Sequence, residues 1–205
     1  MIVYRSDTEQ VRREKKLEDL LRELPDSMHE KALRYKFEKD AYNFVAGRLL
    51  LKRALQELGQ EAQFENIIVQ DNGKPVLEGV YFNISHTQDL AVCACSTEGE
   101  IGVDVEMEKP VELENFKHSF TEREWAHIVN SPDPLRKFYR YWTRKESIIK
   151  AMGITLSYMN QVELDATRDY VVDKGKTWYL VDLDLSPKFF GALCSEAEIH
   201  DLRMM

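Results

Sequence analysis

The sequence lacks a long apolar stretch: no run reaches the roughly 18 residues that a transmembrane helix needs. The first residues, Met1–Asp7, also lack the basic start and the apolar core of a secretion signal. No membrane partner is therefore expected, and the expected location is the cytoplasm.

Cysteine is scarce as well. The 205 residues include three, Cys93, Cys95 and Cys194, and their spacing is not that of a metal site. Cys93 and Cys95 fall in the apolar run Leu90–Ser96, where a cysteine usually behaves as a small buried hydrophobic residue. We therefore expect buried thiols in a reducing compartment rather than a redox pair.

The chain also lacks the basic surplus that is typical of proteins that bind nucleic acids. Its net charge is −8, with 28 Lys and Arg against 36 Asp and Glu. Residues 1–55 hold 13 basic and 10 acidic residues, so the acidic excess lies in the remainder. Nucleic-acid binding is not expected, whereas the N-terminal surplus suits an acidic ligand.

Hydrophobic periodicity and turn residues predict a mixed α and β chain. The predicted helices are 11–24, 27–58 as one helix or two, a capped helix from Thr121 to Val129, and a long helix after Pro134. The predicted strands are 66–70, 76–84, 90–96, 101–106, 161–164, 170–172, 177–183 and 190–195.

A weak internal repeat indicates how these elements are organised. Val69–Lys74 and Val171–Lys176 share the pattern V-x-D-x-G-K, and Ala91–Ser96 is loosely similar to Phe190–Ser195. The two matches have nearly the same offset, which chance turn chemistry explains less easily than one match alone. We therefore predict an α+β fold of two similar halves, 1–98 and 99–205, each with a helix packed on a small antiparallel sheet.

Two acidic residues alternate with aliphatic residues in Ile101–Glu106. Because side chains in a strand alternate between faces, Asp104 and Glu106 are expected on one face and the aliphatic side chains on the other. A solvated strand face is the ordinary alternative for such a pair.

A third acid, Glu146, lies within an apolar stripe of the long helix, one turn before Lys150. A carboxylate on an apolar face is costly unless it is compensated, and three converging carboxylates need a cation. Oxygen ligands favour Mg²⁺ or Mn²⁺, and Mg²⁺ usually accompanies a phosphorylated substrate. The alternative is a helix ion pair between Glu146 and Lys150 that stabilises the fold slightly.

Three motifs occur in a fixed order: Phe82–His86, Ile101–Glu106 and Trp142–Lys150, with Gly73–Pro75 upstream. Together they closely resemble the 4′-phosphopantetheinyl transferases of the surfactin-synthetase-activating (Sfp) type. The resemblance covers residues 32–194. It implies the 4′-phosphopantetheinyl transferase fold, a pseudo-dimer of two halves with the active site in the cleft between them, and it implies a monomer.

The resemblance implies transfer of phosphopantetheine from coenzyme A to a serine of an apo acyl or peptidyl carrier protein, with release of 3′,5′-ADP. It makes Asp104, Glu106 and Glu146 the ligands of Mg²⁺, which Mn²⁺ can replace, and it leaves open whether Glu106 binds the metal directly or through a water molecule. We assign Glu146 as the base for the serine proton and Lys150 as the group that neutralises phosphate charge.

The resemblance also identifies contacts to coenzyme A, which are Lys31, Lys74, Ser85, His86, Lys145 and Lys150. A partly protonated His86 would suit the 3′-phosphate. The chain departs from the family where related sequences often carry basic residues, because it has Met28 and Asn43 there. Arg34 and Arg48 are the candidates to replace them.

Two other functions remain open from the sequence. A Mg²⁺-dependent phosphohydrolase of coenzyme A or of a nucleotide would use the same site with water as the nucleophile. A non-catalytic module that binds carrier proteins is the second alternative, but it has no need for three converging acids. The carrier could belong to fatty-acid, polyketide or nonribosomal-peptide synthesis.

Overall fold

The computed structural model describes residues 1–61 and 63–205. Its helices are α1 (Thr8–Glu14), α2 (Leu17–Leu21), α3 (Asp26–Leu33), α4 (Glu38–Glu57), α5 (Glu122–Val129) and α6 (Pro134–Met152). Its strands are β1 (Ile2–Asp7), β2 (Ile68–Val69), β3 (Pro75–Val76), β4 (Tyr81–Thr87), β5 (Leu90–Ser96), β6 (Ile101–Met107), β7 (Tyr170–Asp173), β8 (Lys176–Asp182), β9 (Phe189–Ser195) and β10 (Arg203–Met204). In this part of the chain no helix is both long and apolar enough to cross a membrane.

Eight of these strands form two four-stranded sheets, as expected for the predicted α+β fold of two halves, and β2 and β3 form a separate two-stranded sheet. The N-terminal sheet has the order β10-β1-β5-β4 and the C-terminal sheet the order β6-β9-β8-β7. All pairs within them are antiparallel except the parallel pair of β1 and β10. Helix α4 packs on the first sheet and α6 on the second. The last strand, β10, thus returns to the N-terminal sheet.

The first match of the internal repeat lies in two hairpins, β2–β3, which is a separate two-stranded sheet, and β7–β8, which belongs to the C-terminal sheet. The turn after β2 and the turn after β7 each contain the repeated glycine, and Gly73 and Gly175 adopt φ values of 83° and 79°. Only glycine adopts that backbone conformation without strain. Strands β5 and β9, which carry the second match, are both central in their sheets.

The predicted strand at 161–164 is wrong. A 3₁₀ turn, Leu156–Gln161, occupies the start of this stretch. The backbone beyond it bonds to buried side chains instead of to a strand, because Val162 O accepts from Lys145 and Leu164 N donates to Glu124.

The first predicted helix is also broken. The chain becomes extended at Lys15 and Lys16, which separates α1 from α2. The hydroxyl of Tyr42, on α4, donates to Lys15 O and ties this break to the longer helix. The stretch 27–58 forms two helices, α3 and α4. The prediction of a capped helix from Thr121 is confirmed, because Thr121 and Glu124 form a reciprocal capping box.

Helix α6 lies unusually close to β6, and Gly102 permits this. A Cβ atom at Gly102 would lie 2.1 Å from Ser147 O and 2.4 Å from Ala151 N. The close approach brings the face of α6 that carries Glu146 and Lys150 over the acids of β6. An apolar cluster that includes Val92 and Val103 joins the two halves beneath this contact. The three cysteines are buried and unbridged, as expected.

Candidate active site

Asp104 lies in the centre of the candidate site and is 2% exposed. Its Oδ1 atom accepts hydrogen bonds from Ser85 Oγ at 3.0 Å and from Lys150 Nζ at 2.5 Å. Its Oδ2 atom is buried and has no hydrogen-bond partner in the part of the chain that the structure describes. The alternative that Asp104 lies on a solvated strand face is therefore excluded, because this side chain is buried. A buried carboxylate needs a compensating charge or hydrogen bonds.

Glu106 lies two residues further along β6 and is half-buried. Its Oε2 atom accepts from Thr87 Oγ1 at 3.1 Å. Burial and the negative charge of Asp104 raise the pKa of Glu106. The two acids are thus neighbours on one side of the strand, as the period-two pattern predicted.

Glu146 reaches the same place from α6. Its carboxylate lies 3.3 Å from Lys150 Nζ, one helical turn on. Burial and the charge of Asp104 raise the pKa of Glu146 to about 7. A group with a pKa near neutrality is suited to accept and release a proton.

Lys150 joins the two strands and the helix. Its ammonium contacts Asp104 and Glu146 and donates to Ser85 Oγ at 3.2 Å. Burial alone would lower the pKa of Lys150, but the two carboxylates raise it overall. The contact with Glu146 is therefore part of a cluster that spans both halves, and not only a pair within one helix.

The donor set fits Mg²⁺. Among residues 1–61 and 63–205, no three His, Cys, Asp or Glu side chains are already arranged around one point. Lys150 lies between two of the acids instead. Three carboxylates against one ammonium leave negative charge, and the partnerless Asp104 Oδ2 is a hard oxygen donor of the kind that Mg²⁺ prefers.

His86 lies at the exposed end of β4. Loss of surrounding water lowers the pKa of His86, and the charges of Lys150 and Arg48 lower it further, while Asp40 opposes them. These effects disfavour the protonated form of the imidazole, which is the form that would suit a phosphate. A bound phosphate would favour its protonation.

Lys31 and Arg48 come together on the N-terminal half. The guanidinium of Arg48 lies 4.3 Å from the centre of the Phe44 ring, and Lys31 Nζ lies 5.5 Å from it. Burial lowers the pKa of Arg48. Of the two candidate replacements, Arg48 acts electrostatically on His86, whereas Arg34 is exposed and pairs with Glu30.

The two departures from the family have structural roles here. Asn43 is buried, accepts from Thr8 Oγ1 at 2.6 Å and donates to Gln88 O at 2.7 Å. It therefore holds the β4–β5 turn against α1 and α4. Met28 packs on the apolar core of the N-terminal half.

Lys74 and Lys145 are engaged elsewhere. Lys74 Nζ donates to Ala151 O at 2.6 Å and pairs with Glu100, which fixes the turn before β3 at the end of α6. Lys145 is 0% exposed and donates to Glu124 and to Val162 O. The structure does not bring Lys145 to the cleft, so its assignment to coenzyme A is withdrawn.

Sequence reasoning missed three residues around the site. Glu124 belongs to the capping-box pattern that begins at Thr121, and an acid among the apolar residues of α5 is the signal for its second, buried role. Asn83 and Thr87 alternate with Ser85 along β4 and face β6. Their alternation along β4 is visible in the sequence, but the sequence does not show that these side chains face β6.

Both halves match known family models. Residues 12–98 match the model described as 4′-phosphopantetheinyl transferase, N-terminal, and residues 100–180 match that of the 4′-phosphopantetheinyl transferase superfamily. The chain is 33% identical over 183 residues to the 4′-phosphopantetheinyl transferase HetI of Nostoc sp., covering 83% of this chain and 77% of the relative.

Two further relatives are longer. The mouse L-aminoadipate-semialdehyde dehydrogenase-phosphopantetheinyl transferase is 32% identical over 168 residues, 72% of this chain and 54% of that protein. The 4′-phosphopantetheinyl transferase gsp of Aneurinibacillus migulanus is 34% identical over 126 residues, 59% and 52% of the two chains. The chain thus spans about half the length of these two proteins.

Proposed function

Because the chain belongs to the 4′-phosphopantetheinyl transferase superfamily and is an enzyme of that type, we propose its reaction in detail. The 4′-phosphopantetheine group passes from coenzyme A to a serine of an apo acyl or peptidyl carrier protein, and 3′,5′-ADP is released. The observation that carries this proposal is the convergence of Asp104, Glu146 and Lys150 beside Ser85.

The acids and the lysine of the site have different roles in the proposed reaction. Asp104, Glu106 and Glu146 would hold Mg²⁺, with Mn²⁺ as a substitute. When bound, the metal supplies positive charge that polarises the phosphoryl group and stabilises the leaving phosphate. Lys150 donates to the phosphate oxygens, and its charge opposes the charge that develops there.

Glu146 takes the proton of the carrier serine. The serine oxygen then forms a bond to the phosphorus that carries phosphopantetheine, and the bond from that phosphorus to the bridging oxygen breaks. The bridging oxygen keeps the electron pair and leaves as part of 3′,5′-ADP. The pKa of Glu146 is about 7 in the metal-free state, and bound Mg²⁺ would lower it and so favour the carboxylate form that accepts the proton.

His86, Arg48 and Lys31 would contact the 3′-phosphate of coenzyme A, and the bound phosphate would favour the protonated form of the His86 imidazole. Ser85, at the end of the acid cluster, would contact the pyrophosphate. Both halves supply residues within one chain, so we propose that the protein acts as a monomer, and in the cytoplasm. The relatives do not favour the phosphohydrolase alternative.

The test is incubation with coenzyme A and Mg²⁺, with and without a panel of apo carrier proteins, followed by mass spectrometry. A carrier that gains phosphopantetheine only in the presence of enzyme and metal supports the proposal. Consumption of coenzyme A without any carrier would instead show a phosphohydrolase. Glu146→Gln should lower transfer at least about 10²-fold, whereas Glu122→Gln, on the exposed face of α5, is the matched control.

A further inference from the structure

Strands β4 and β6 form the junction between the two sheets. Each is the edge strand of its own sheet. They lie side by side in the same direction, with Asn83 beside Val103 and Ser85 beside Val105 at a constant offset along both strands. The edge of β6 is buried at this junction, so its amides need partners other than water.

Side chains of β4 take the place of a strand backbone. Val103 N donates to Asn83 Oδ1 at 3.0 Å, and Val105 N donates to Ser85 Oγ at 3.3 Å. Further along, Met107 N donates to Thr87 Oγ1 at 3.2 Å. We call these three contacts the side-chain ladder. It satisfies the β6 edge without bringing the two backbones to the spacing of a normal sheet.

Two of the three rungs continue to the acids. A hydroxyl can accept one hydrogen bond and donate another at the same time. Ser85 Oγ donates to Asp104, and Thr87 Oγ1 donates to Glu106 at 3.1 Å. The rung at Asn83 stands beside Gly102, which has no side chain to orient. In the side-chain ladder, the contact at Asn83 is therefore purely structural, whereas the contacts at Ser85 and Thr87 also hold carboxylates.

We propose that Thr87 is a positioning residue that holds Glu106 in the orientation needed for metal binding. Among the residues that the structure describes, no other group donates to this carboxylate. The hydroxyl links Glu106, on the C-terminal half, to a strand of the N-terminal half, so closure of the junction and alignment of the acid are coupled. This inference rests on the proposed function, because that function makes Glu106 a ligand.

The test compares Thr87→Val with Thr87→Ser. Valine keeps the shape but removes the hydroxyl, and serine restores it. Loss of a group that orients a metal ligand typically lowers metal affinity roughly 10- to 100-fold. We expect Thr87→Val to raise the Mg²⁺ concentration for half-maximal activity by such a factor, with a smaller change in the KM for coenzyme A. Thr87→Ser should remain close to the parent.

Two readouts do not depend on turnover. Mn²⁺ binding to the purified protein without coenzyme A, followed by electron paramagnetic resonance, should weaken in Thr87→Val and recover in Thr87→Ser. Hydrogen exchange of the Met107 amide should accelerate in Thr87→Val, because that amide loses its acceptor. These readouts remain valid if the parent proves inactive with every carrier. Failure of the proposed function can therefore be distinguished from failure of the proposal for Thr87.

Asn83→Ala is the matched control, since it removes a rung that touches no acid. It should lower stability and expose the Val103 amide without changing Mn²⁺ affinity. If Thr87→Val does not fold, Thr87→Cys, with its weak donor, replaces it. Unchanged Mn²⁺ affinity and Mg²⁺ demand in the folded variant would overturn the proposal, as would an equal loss of affinity in Asn83→Ala.

Discussion

The ammonium of Lys145 lies 2.8 and 2.6 Å from the two carboxylate oxygens of Glu124, and neither side chain is more than 1% exposed. Burial lowers the pKa of Lys145. The pair joins α5 to α6, and Leu164 N and Thr121 N complete the hydrogen bonds of the carboxylate. The residue next to Lys145 is Glu146, so this buried pair fixes the helix that presents the proposed base.

Breaking this pair should be costly. Lys145→Met keeps the length of the side chain but leaves a buried carboxylate without its counter-charge, which typically costs about 3–5 kcal/mol. The double variant Lys145→Met with Glu124→Leu should recover part of the loss. Lys176→Met, which removes an exposed pair with Glu196, should have a much smaller effect on stability. Urea unfolding measures these differences, and equal losses in the two lysine variants would contradict the interpretation.

Asp104→Ala should affect both activity and stability. It removes the acceptor of Ser85 and Lys150, and a lost buried partner typically costs about 1–3 kcal/mol. Transfer should be abolished at any Mg²⁺ concentration. EDTA should stop the parent enzyme, and Mg²⁺ or Mn²⁺ should restore it. Asp184→Ala, at an exposed position, is the control. Full activity of Asp104→Ala at saturating Mg²⁺ would exclude this residue as a ligand.

Glu146 should make the metal-free protein less stable as the pH rises. The pKa of Glu146 is about 7 in the folded state against an ordinary value of 4.5. The folded state thus binds the proton more tightly, so this contribution to stability is present below about pH 4.5 and is lost as the pH rises through about 7. The loss should be about 1–3 kcal/mol.

Glu146→Gln should remove this loss, because glutamine does not titrate. Urea midpoints in EDTA at about pH 5 and about pH 8 test it. The same variant should lower turnover at least about 10²-fold, the usual scale for a general base. A large stability loss with unchanged turnover per folded molecule would mean that Glu146 and Lys150 form only a structural pair.

His86 and Arg48 should govern discrimination between coenzyme A and dephospho-coenzyme A. Loss of one charge-assisted contact to the 3′-phosphate corresponds to roughly 10- to 150-fold in binding. His86→Ala and Arg48→Met should each reduce the ratio of kcat/KM for the two substrates. Arg34→Met is the control, since that side chain is exposed and pairs with Glu30. Undiminished discrimination in His86→Ala would remove that residue from the phosphate site.

Gly102→Ala should destabilise the protein through the contact between α6 and β6. The added Cβ would meet backbone atoms at Ser147 and Ala151, which cannot move without shifting the helix. Overpacking of this kind costs about 1–3 kcal/mol or more. Gly99→Ala is the control, because its nearest neighbour would lie at 3.4 Å. Equal thermal midpoints for the two variants would show that α6 adjusts without strain.

The sequence by itself determined the features that depend on local pattern. The period of two in Ile101–Glu106 gave strand β6 and the common side of its acids. The capping box at Thr121 gave the start of α5, and the repeated turn glycines indicated two similar halves. The combined motifs also identified the family. The strand period, the capping box and the turn glycines follow from backbone geometry over a few residues, which local sequence specifies, whereas the family follows from the resemblance of the combined motifs.

The tertiary structure decided which neighbours those residues meet. Lys145 and Glu146 are adjacent on α6, yet one lies in the core with Glu124 and the other faces the acids of β6. Helical periodicity fixes the angle between these two side chains around α6, but it does not determine which residues each side chain contacts. Asp104 is buried for the same reason, because β4 covers the edge of β6 through the side-chain ladder. Contacts between strands distant in the chain depend on packing of both halves, which no local pattern specifies.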